Sequence, residues 1–341
     1  MAKYYYGGQA VMEGVMMRGR RSAAVAIRKP EGDIYLYEEG LNPALYQSAV
    51  FRLPFLRGML LLWDMLVLGT RLMTISANVA NGSVSVASGT QSGPVGALAP
   101  DEQTLSSPAE LSGQEKQPAA ISGVLLALTL LVSLGFAVAV FFVAPLFLAG
   151  LLHDQIGTGW QSVLVEGLIR LVLLIGYLFL IGRLADIQRV FGYHGAEHKA
   201  INTMESGQPL DVAHVRQASR VHTRCGTGFL LLVMVVSIFV FALVGSPALP
   251  IKVLSRILLV PVVAGISYEL MRLGAANYRF RVVHWLMAPG LALQGLTTRE
   301  PDDTMIECAI AALKRVTRRD EVDGEALVSS QEVLPPLVTV K

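Results

Sequence analysis

The chain has 341 residues, of which 53% are hydrophobic and only 16% are charged, and its mean hydropathy is +0.52. Soluble domains carry about a quarter charged residues, so this composition excludes an ordinary soluble protein. The net charge of +2 excludes a strongly basic nucleic-acid binder. The two cysteines, Cys225 and Cys308, are too few for a disulfide-stapled secreted scaffold.

The amino-terminal segment, residues 1–52, combines two patterns. Residues 7–19 (GGQAVMEGVMMRG) are dense in glycine, which favours tight turns that display Gln9, Glu13 and Arg18 toward a ligand or toward the ends of membrane helices. A turn-rich structural edge is the alternative. Further on, SAAVAIRKP and DIYLYEE are β-prone runs separated by a Glu-Gly pair, which predicts a β-hairpin.

The next two segments differ in periodicity. Residues 53–80 are apolar at helical spacing but carry Arg57, Asp64 and Arg71, which favours an interfacial or re-entrant helix over a further membrane span. Residues 81–120 are rich in Ser, Gly, Pro and Ala without periodicity, which predicts a flexible linker.

Four later stretches are apolar over a length sufficient to cross a bilayer. They are residues 121–152, 163–184, 226–251 and 252–273. The second stretch carries Glu166 and Arg170, whose i,i+4 spacing lets them neutralise each other. The fourth carries Glu269, a carboxylate that is costly inside a span and is therefore expected to be paired, with Arg272 one turn away, or functional.

The remaining segments complete the predicted architecture. The apolar part of 274–301 is broken at Pro289-Gly290 and is too short to span, so it is expected to re-enter or lie at the interface. Residues 302–318 have the pattern of an amphipathic helix, followed by a tail at 319–341. We therefore predict a mainly α polytopic membrane protein with a small amino-terminal β-hairpin element and cytoplasmic amphipathic helices.

The distribution of Lys and Arg predicts the topology. These residues are concentrated near both ends and in the central segment 185–225, and they are sparse in the two short connections between spans. By the positive-inside rule, both termini and the central segment lie in the cytoplasm. The first residues also lack the features of a signal peptide.

The central segment contains a candidate metal motif. His194, Glu197 and His198 form H-x-x-E-H, which on a helix would place both imidazoles on one face to bind a metal while Glu197 takes a proton from a bound water. His222 and Cys225, in an H-x-x-C spacing, would complete a four-ligand set. The alternative is a chance pattern, in which these are interfacial polar or small packed residues.

Glu205 is a further candidate in the same segment. It follows His198 by seven residues and would serve as an additional ligand or as a carboxylate that orients a ligand. A solvated surface glutamate is the alternative. A closed four-ligand set would indicate a structural metal site, because catalytic zinc sites keep an open position.

Several blocks of the sequence resemble a known family. GGQAVMEGVMMRG, RLPFLRG, YHGAEHKAI, HTRCGTGF, YELMR and PGLALQGLTTREP occur in the order found in the YqhQ-like family of bacterial integral membrane proteins. The resemblance covers nearly the whole chain except residues 81–120. It implies a protein of the bacterial cytoplasmic membrane in a family of unknown function, labelled a predicted metal-dependent enzyme.

Two functional hypotheses follow. The first is a hydrolase that uses a divalent metal, zinc by its ligand types, on a membrane-associated substrate with Glu197 as general base. The second is a non-enzymatic transporter, or a membrane assembly or scaffold factor that binds lipid or protein partners. Membrane lipid is the expected partner in either case, homo-oligomerisation is left open, and no nucleic acid is expected.

Overall fold

A computed structural model describes residues 6–41, 53–82, 123–152, 157, 159–245 and 248–332. Nearly all of the predicted linker at 81–120 and the last part of the predicted tail lie outside these residues. The described chain is mainly helical, with one small sheet near the amino terminus. The strands are β1 (Gly7–Val11), β2 (Gly14–Arg18), β3 (Ser22–Arg28) and β4 (Ile34–Gly40).

Eleven α-helices are defined among the described residues, with a π-helical turn at Ala139–Val143 joining the second and third. They are α1 (Leu56–Ala80), α2 (Gly123–Val138), α3 (Ala144–Leu151), α4 (Trp160–Ile181), α5 (Ala185–Glu205), α6 (Val212–Gln217), α7 (Gly226–Val244), α8 (Leu249–Leu258), α9 (Val260–Ala276), α10 (Arg281–Thr297) and α11 (Asp303–Glu332).

The sheet is an antiparallel meander in the order β1-β2-β3-β4. The predicted hairpin is confirmed as β3 and β4, with Val25 opposite Tyr37. The glycine-rich segment, expected to form turns, instead supplies β1 and β2. Glycine lets neighbouring strands lie close together here, because a Cβ at Gly14 of β2 would lie 2.2 Å from the carbonyl oxygen of Ala26 of β3. The turn between these strands places Glu13 at a φ of 53°.

The sheet is covered by helices on both faces. One face shares a core with α5 and α11, in which Val15 and Met17 pack with Tyr193, Ile306 and Leu313. The other face packs on the second half of α1, where Leu68, Leu72 and Val79 are buried with residues of the sheet. Every residue of β3 from Ser22 to Ile27 is buried, as expected for a strand covered on both sides.

The apolar helices agree with a membrane protein. By length and composition, four helical segments of the described chain could cross a membrane: Leu56–Ala80, Leu128–Leu151, Trp160–Ile181 and Gly226–Val244. The segment predicted as one span at 252–273 consists of α8 and α9, bent by 41°, and by length and composition this pair could be one broken span, a fifth crossing, or a re-entrant loop. The break precedes Pro261, which fits the start of a helix but not its interior. The prediction that 53–80 lies at the interface is not decided by length, since α1 is also long enough to span.

Two boundaries near the carboxyl terminus correct the sequence expectations. α10 continues through Pro289 and Gly290, where a break was expected. Gly290 packs against Gly228 of α7, so tertiary contact supports the helix at this point. The predicted amphipathic helix is confirmed as α11, but it extends to Glu332 rather than ending at 318. No helix-breaking Pro lies between 318 and 332.

Candidate metal centre

Helix α5 carries the H-x-x-E-H motif, and its two glycines allow a neighbouring segment to lie directly against it. A Cβ at Gly195 would lie 2.1 Å from the Arg299 carbonyl oxygen, and one at Gly192 would lie 2.7 Å from the Met305 sulfur. The Arg299 backbone N–H also donates to the Phe191 carbonyl at 2.8 Å. These two glycines, although poor helix formers, therefore let the chain after α10 approach the motif.

That close approach orients His194. Its Nδ1 lies 2.8 Å from the Thr297 carbonyl oxygen, and the Nδ1 of His198 is hydrogen-bonded to the Arg220 carbonyl oxygen. Because a carbonyl only accepts, the neutral form of each ring carries its proton on Nδ1 and keeps the lone pair on Nε2. Such hydrogen bonds are typical of metal-binding histidines. The two ring centroids are 4.4 Å apart.

Cys225 completes a group of three ligand atoms. It directly precedes α7, and its Sγ lies 3.3 Å from His194 Nε2. The sulfur also accepts the Thr227 backbone N–H at 3.4 Å. The ligand atoms of His194, His198 and Cys225 all lie within 4.8 Å of one another, so this group could hold a metal ion.

Glu197 lies against both imidazoles. Its Oε2 is 3.8 Å from His194 Nε2 and 3.9 Å from His198 Nε2. Complete burial raises the pKa of the Glu197 carboxyl to about 7, although His194 and a hydrogen bond from the Gly8 backbone act in the opposite direction. Strand β1 thus covers this carboxylate, and a Cβ at Gly8 would lie 2.7 Å from Glu197 Cγ.

His222 is close to the group but has other contacts. Its ring centroid is 5.5 Å from that of His198, and its Nε2 lies 3.2 Å from a nitrogen of Arg224, which donates to it. Burial and the Arg224 charge lower the pKa of His222 to about 3. Its backbone N–H and C=O bond the side chain of Gln294. Its role as a metal ligand stays a prediction.

Glu205 approaches the site from the end of α5. It forms an ion pair with Arg224, and its carboxylate lies 4.0 Å from His222 Nε2. The chain Glu205–Arg224–His222 therefore borders the three-ligand group without belonging to it.

The remaining candidates lie elsewhere. Glu269 pairs with Arg57 at 2.7 Å, whereas Arg272, the partner expected from the sequence, is 3.9 Å away. Glu13 accepts from Arg189 of α5 at 2.6 Å, and Arg18 contacts Asp64 of α1 at 3.5 Å.

Gln9 also lies outside the three-ligand group. Its side-chain oxygen packs against Gly69 of α1, where an added Cβ would lie 2.6 Å from it. With Glu13 and Arg18, it therefore connects the sheet to its covering helices.

Three positions at the centre were missed in the sequence. Thr297 and Arg220 act through backbone carbonyls, which leave no signal in the residue type. Gly8 acts through its backbone N–H and its lack of a side chain. The glycine-rich block did draw attention to this segment, but not to Glu197 as its contact.

Comparison with known proteins assigns the chain to a family. A family described as "Protein of unknown function (DUF1385)" matches residues 53–319. The chain belongs to this family. The uncharacterized protein YqhQ of Bacillus subtilis (strain 168) is 34% identical over 332 residues, which cover 96% of this chain and 97% of that relative. No solved structure matches the chain. All four metal-ligand candidates of this DUF1385 member, His194, His198, His222 and Cys225, lie inside the family match, and Gly8 lies before it.

Proposed function

We propose that this protein is a zinc-dependent hydrolase of the bacterial cytoplasmic membrane that acts on a membrane-associated substrate. The observation that carries the proposal is the group of His194, His198 and Cys225, with both Nε2 atoms left available by Nδ1 hydrogen bonds. Imidazole and thiolate together are ligands that zinc prefers.

The three-ligand group favours catalysis over a structural role, because the fourth candidate, His222, has its Nε2 hydrogen-bonded to Arg224. Three protein ligands are one fewer than tetrahedral zinc takes, so a water would complete the shell, as in catalytic zinc sites. Zinc lowers the pKa of a bound water enough to generate hydroxide near neutral pH. His194 keeps 17% of its side-chain surface exposed, which gives a substrate one side from which to approach.

Glu197 is the proposed general base. Its carboxylate lies within 4 Å of both imidazole Nε2 atoms and therefore beside any metal they share. A carboxylate beside a metal-bound water is placed to accept its proton, and Glu197 is the acidic side chain that contacts both histidines.

Location follows from the same elements. The segment that joins α5 to α7 carries Arg216, Arg220 and Arg224 and one acidic residue, Asp211, and the positive-inside rule assigns such a segment to the cytoplasm. Cys225 directly precedes the apolar helix α7, so the centre lies at the end of a candidate span. A site at this depth suits a substrate that is itself held in the membrane, such as a lipid or a membrane protein.

Metal content tests the proposal directly. Detergent-purified wild-type protein should contain about one zinc ion per chain by plasma mass spectrometry, and the His194→Ala, His198→Ala double variant should lose it. His214→Ala is the matched control, because His214 is exposed on α6 and pairs with Asp211 instead. Wild-type protein without zinc above background would contradict the proposal, as would a double variant that keeps it.

A further inference from the structure

A second polar cluster lies among the apolar helices, at the opposite end of α7 from the metal centre. Phe241 is 16 residues after Cys225, which is about 24 Å along a helix. Four charged side chains contact one another near Phe241: Glu166 and Arg170 of α4, and Lys252 and Arg256 of α8. We call these four residues the basic cluster. Glu166, Arg170 and Arg256 are each no more than 3% exposed.

The pair predicted from the sequence forms, but it is not alone. Arg170 donates to Glu166 at 2.8 Å, and also to the Phe141 carbonyl and the Ser237 hydroxyl. These two residues balance one another in charge. The same carboxylate also contacts Arg256 at 3.3 Å and Lys252 at 3.5 Å.

Lys252 and Arg256 therefore add two positive charges. In the part of the chain that the structure describes, Glu166 is the acidic side chain that contacts them. Their i,i+4 spacing on α8 places both on one face, toward Glu166. Unbalanced charge inside an apolar environment is costly, so a further anion would stabilise this arrangement.

Arg256 has unused hydrogen-bonding capacity. Its Nε and Nη2 face Glu166, and its guanidinium lies 4.1 Å over the Phe241 ring. The third nitrogen, Nη1, is buried and meets no acceptor among the described residues. A planar guanidinium with a free N–H suits a phosphate oxygen.

The basic cluster lies about two helical turns below headgroup level, where long Lys and Arg side chains reach a phosphate by extending toward the interface. Trp160, 67% exposed at the start of α4, is of the type that lies at headgroup level. Glu166 follows it by six residues, about 9 Å along the helix. Lys252 retains 12% of its side-chain surface exposed and is the accessible edge of the cluster.

We propose that the basic cluster binds a phosphate group, supplied by an anionic lipid headgroup or by free phosphate, with Arg256 and Lys252 as its principal contacts. This site is separate from the metal centre. The proposal does not depend on zinc binding or on hydrolysis.

Lipid retention tests the proposal in the full-length protein. Native mass spectrometry after delipidation and addition of phosphatidylglycerol, phosphatidylcholine or inorganic phosphate should show preferential retention of an anionic species. Lys252→Gln should lower that retention about tenfold, the effect of losing one hydrogen bond to a charged group. Arg281→Gln, which removes an exposed arginine at the start of α10, is the matched control and should leave it unchanged.

Glu166→Gln should change anion retention in the opposite direction from Lys252→Gln. Removing the carboxylate charge should raise affinity for the anion if the basic cluster binds one, whereas a purely structural ion-pair network would gain no ligand. Retained phosphatidylglycerol identifies a headgroup, and displacement by inorganic phosphate alone identifies free phosphate. Equal retention of all three probes, or no change in Lys252→Gln with the fold intact, would overturn the proposal.

Discussion

At the scale of single residues, Glu197 has two roles that its contacts permit, and one substitution separates them. If Glu197 is the general base, Glu197→Gln should keep zinc and lower hydrolysis about 10²- to 10⁴-fold, because the amide cannot accept the proton. The measurement pairs zinc content with turnover of p-nitrophenyl acetate and bis(p-nitrophenyl) phosphate in detergent.

The same variant has outcomes that would contradict this role. Loss of zinc would make Glu197 a ligand, which its 3.8 and 3.9 Å distances to the two imidazoles also permit. Unchanged hydrolysis with zinc retained would remove Glu197 from the reaction. His214→Ala again reports any general effect of altering this region, since His214 is on the neighbouring helix α6.

At the scale of elements, the contact between α5 and the segment after α10 determines the ligand geometry. Gly195→Ala would drive a Cβ into the Arg299 backbone and move the Thr297 carbonyl away from His194. We expect zinc affinity to fall about ten- to hundredfold, as when other partners of metal-binding histidines are lost. The free energy of unfolding should fall by about 1–3 kcal/mol from overpacking.

Gly295→Ala is the control for this prediction. Gly295 lies inside α10 with open space around it, so alanine there should be neutral or stabilise the helix. Chelator competition measures zinc affinity, and thermal unfolding in detergent measures stability. Equal values for the two variants would show that the contact of α5 with Arg299 does not matter.

The helices and strands also show which parts of the fold can be predicted from the sequence. Local sequence patterns predicted three features: the long apolar helices, the β3–β4 hairpin, and the motif of His, Glu and Cys residues. Strands β1 and β2 were missed because glycine density is read as turns, while here it serves backbone contact with Ala26 and Glu197.

The Arg57–Glu269 pair was missed for a different reason. These residues are 212 positions apart, and nothing in either local pattern indicates the other. The carbonyl partners of the two histidines belong to the same class, since tertiary packing alone brings them to the rings.

At the scale of the whole molecule, packing constrains the topology. The sheet shares one core with α5 and α11, so all three lie on one side of any membrane. Between the sheet and α5, the chain passes through α1, α2–α3 and α4. An even number of crossings returns a chain to its starting side. If α2–α3 and α4 both cross, α1 does not, and the interfacial prediction for 53–80 follows.

Labelling with a membrane-impermeant maleimide tests this topology. Cysteines introduced at Glu31 and Asn81, both exposed, should react from the same face of the membrane, because they precede and follow α1. A cysteine at Gln161, exposed at the start of α4, should react from the other face and serves as the control. Reaction of the Glu31 and Asn81 positions from opposite faces would show that α1 spans.

The shared core also has a consequence for biosynthesis. Strands β1 and β2 precede every helix of the described chain, yet they pack with Ile306 and Leu313 of α11, about 290 residues further along the chain. At translation rates of 5–20 residues per second, this interval is about 15 to 60 s. The newly made sheet therefore exists before α11, which covers part of one of its faces, because every apolar helix is synthesised in between. We expect this uncovered apolar face of the sheet to be a binding site for a chaperone until α11 has been synthesised.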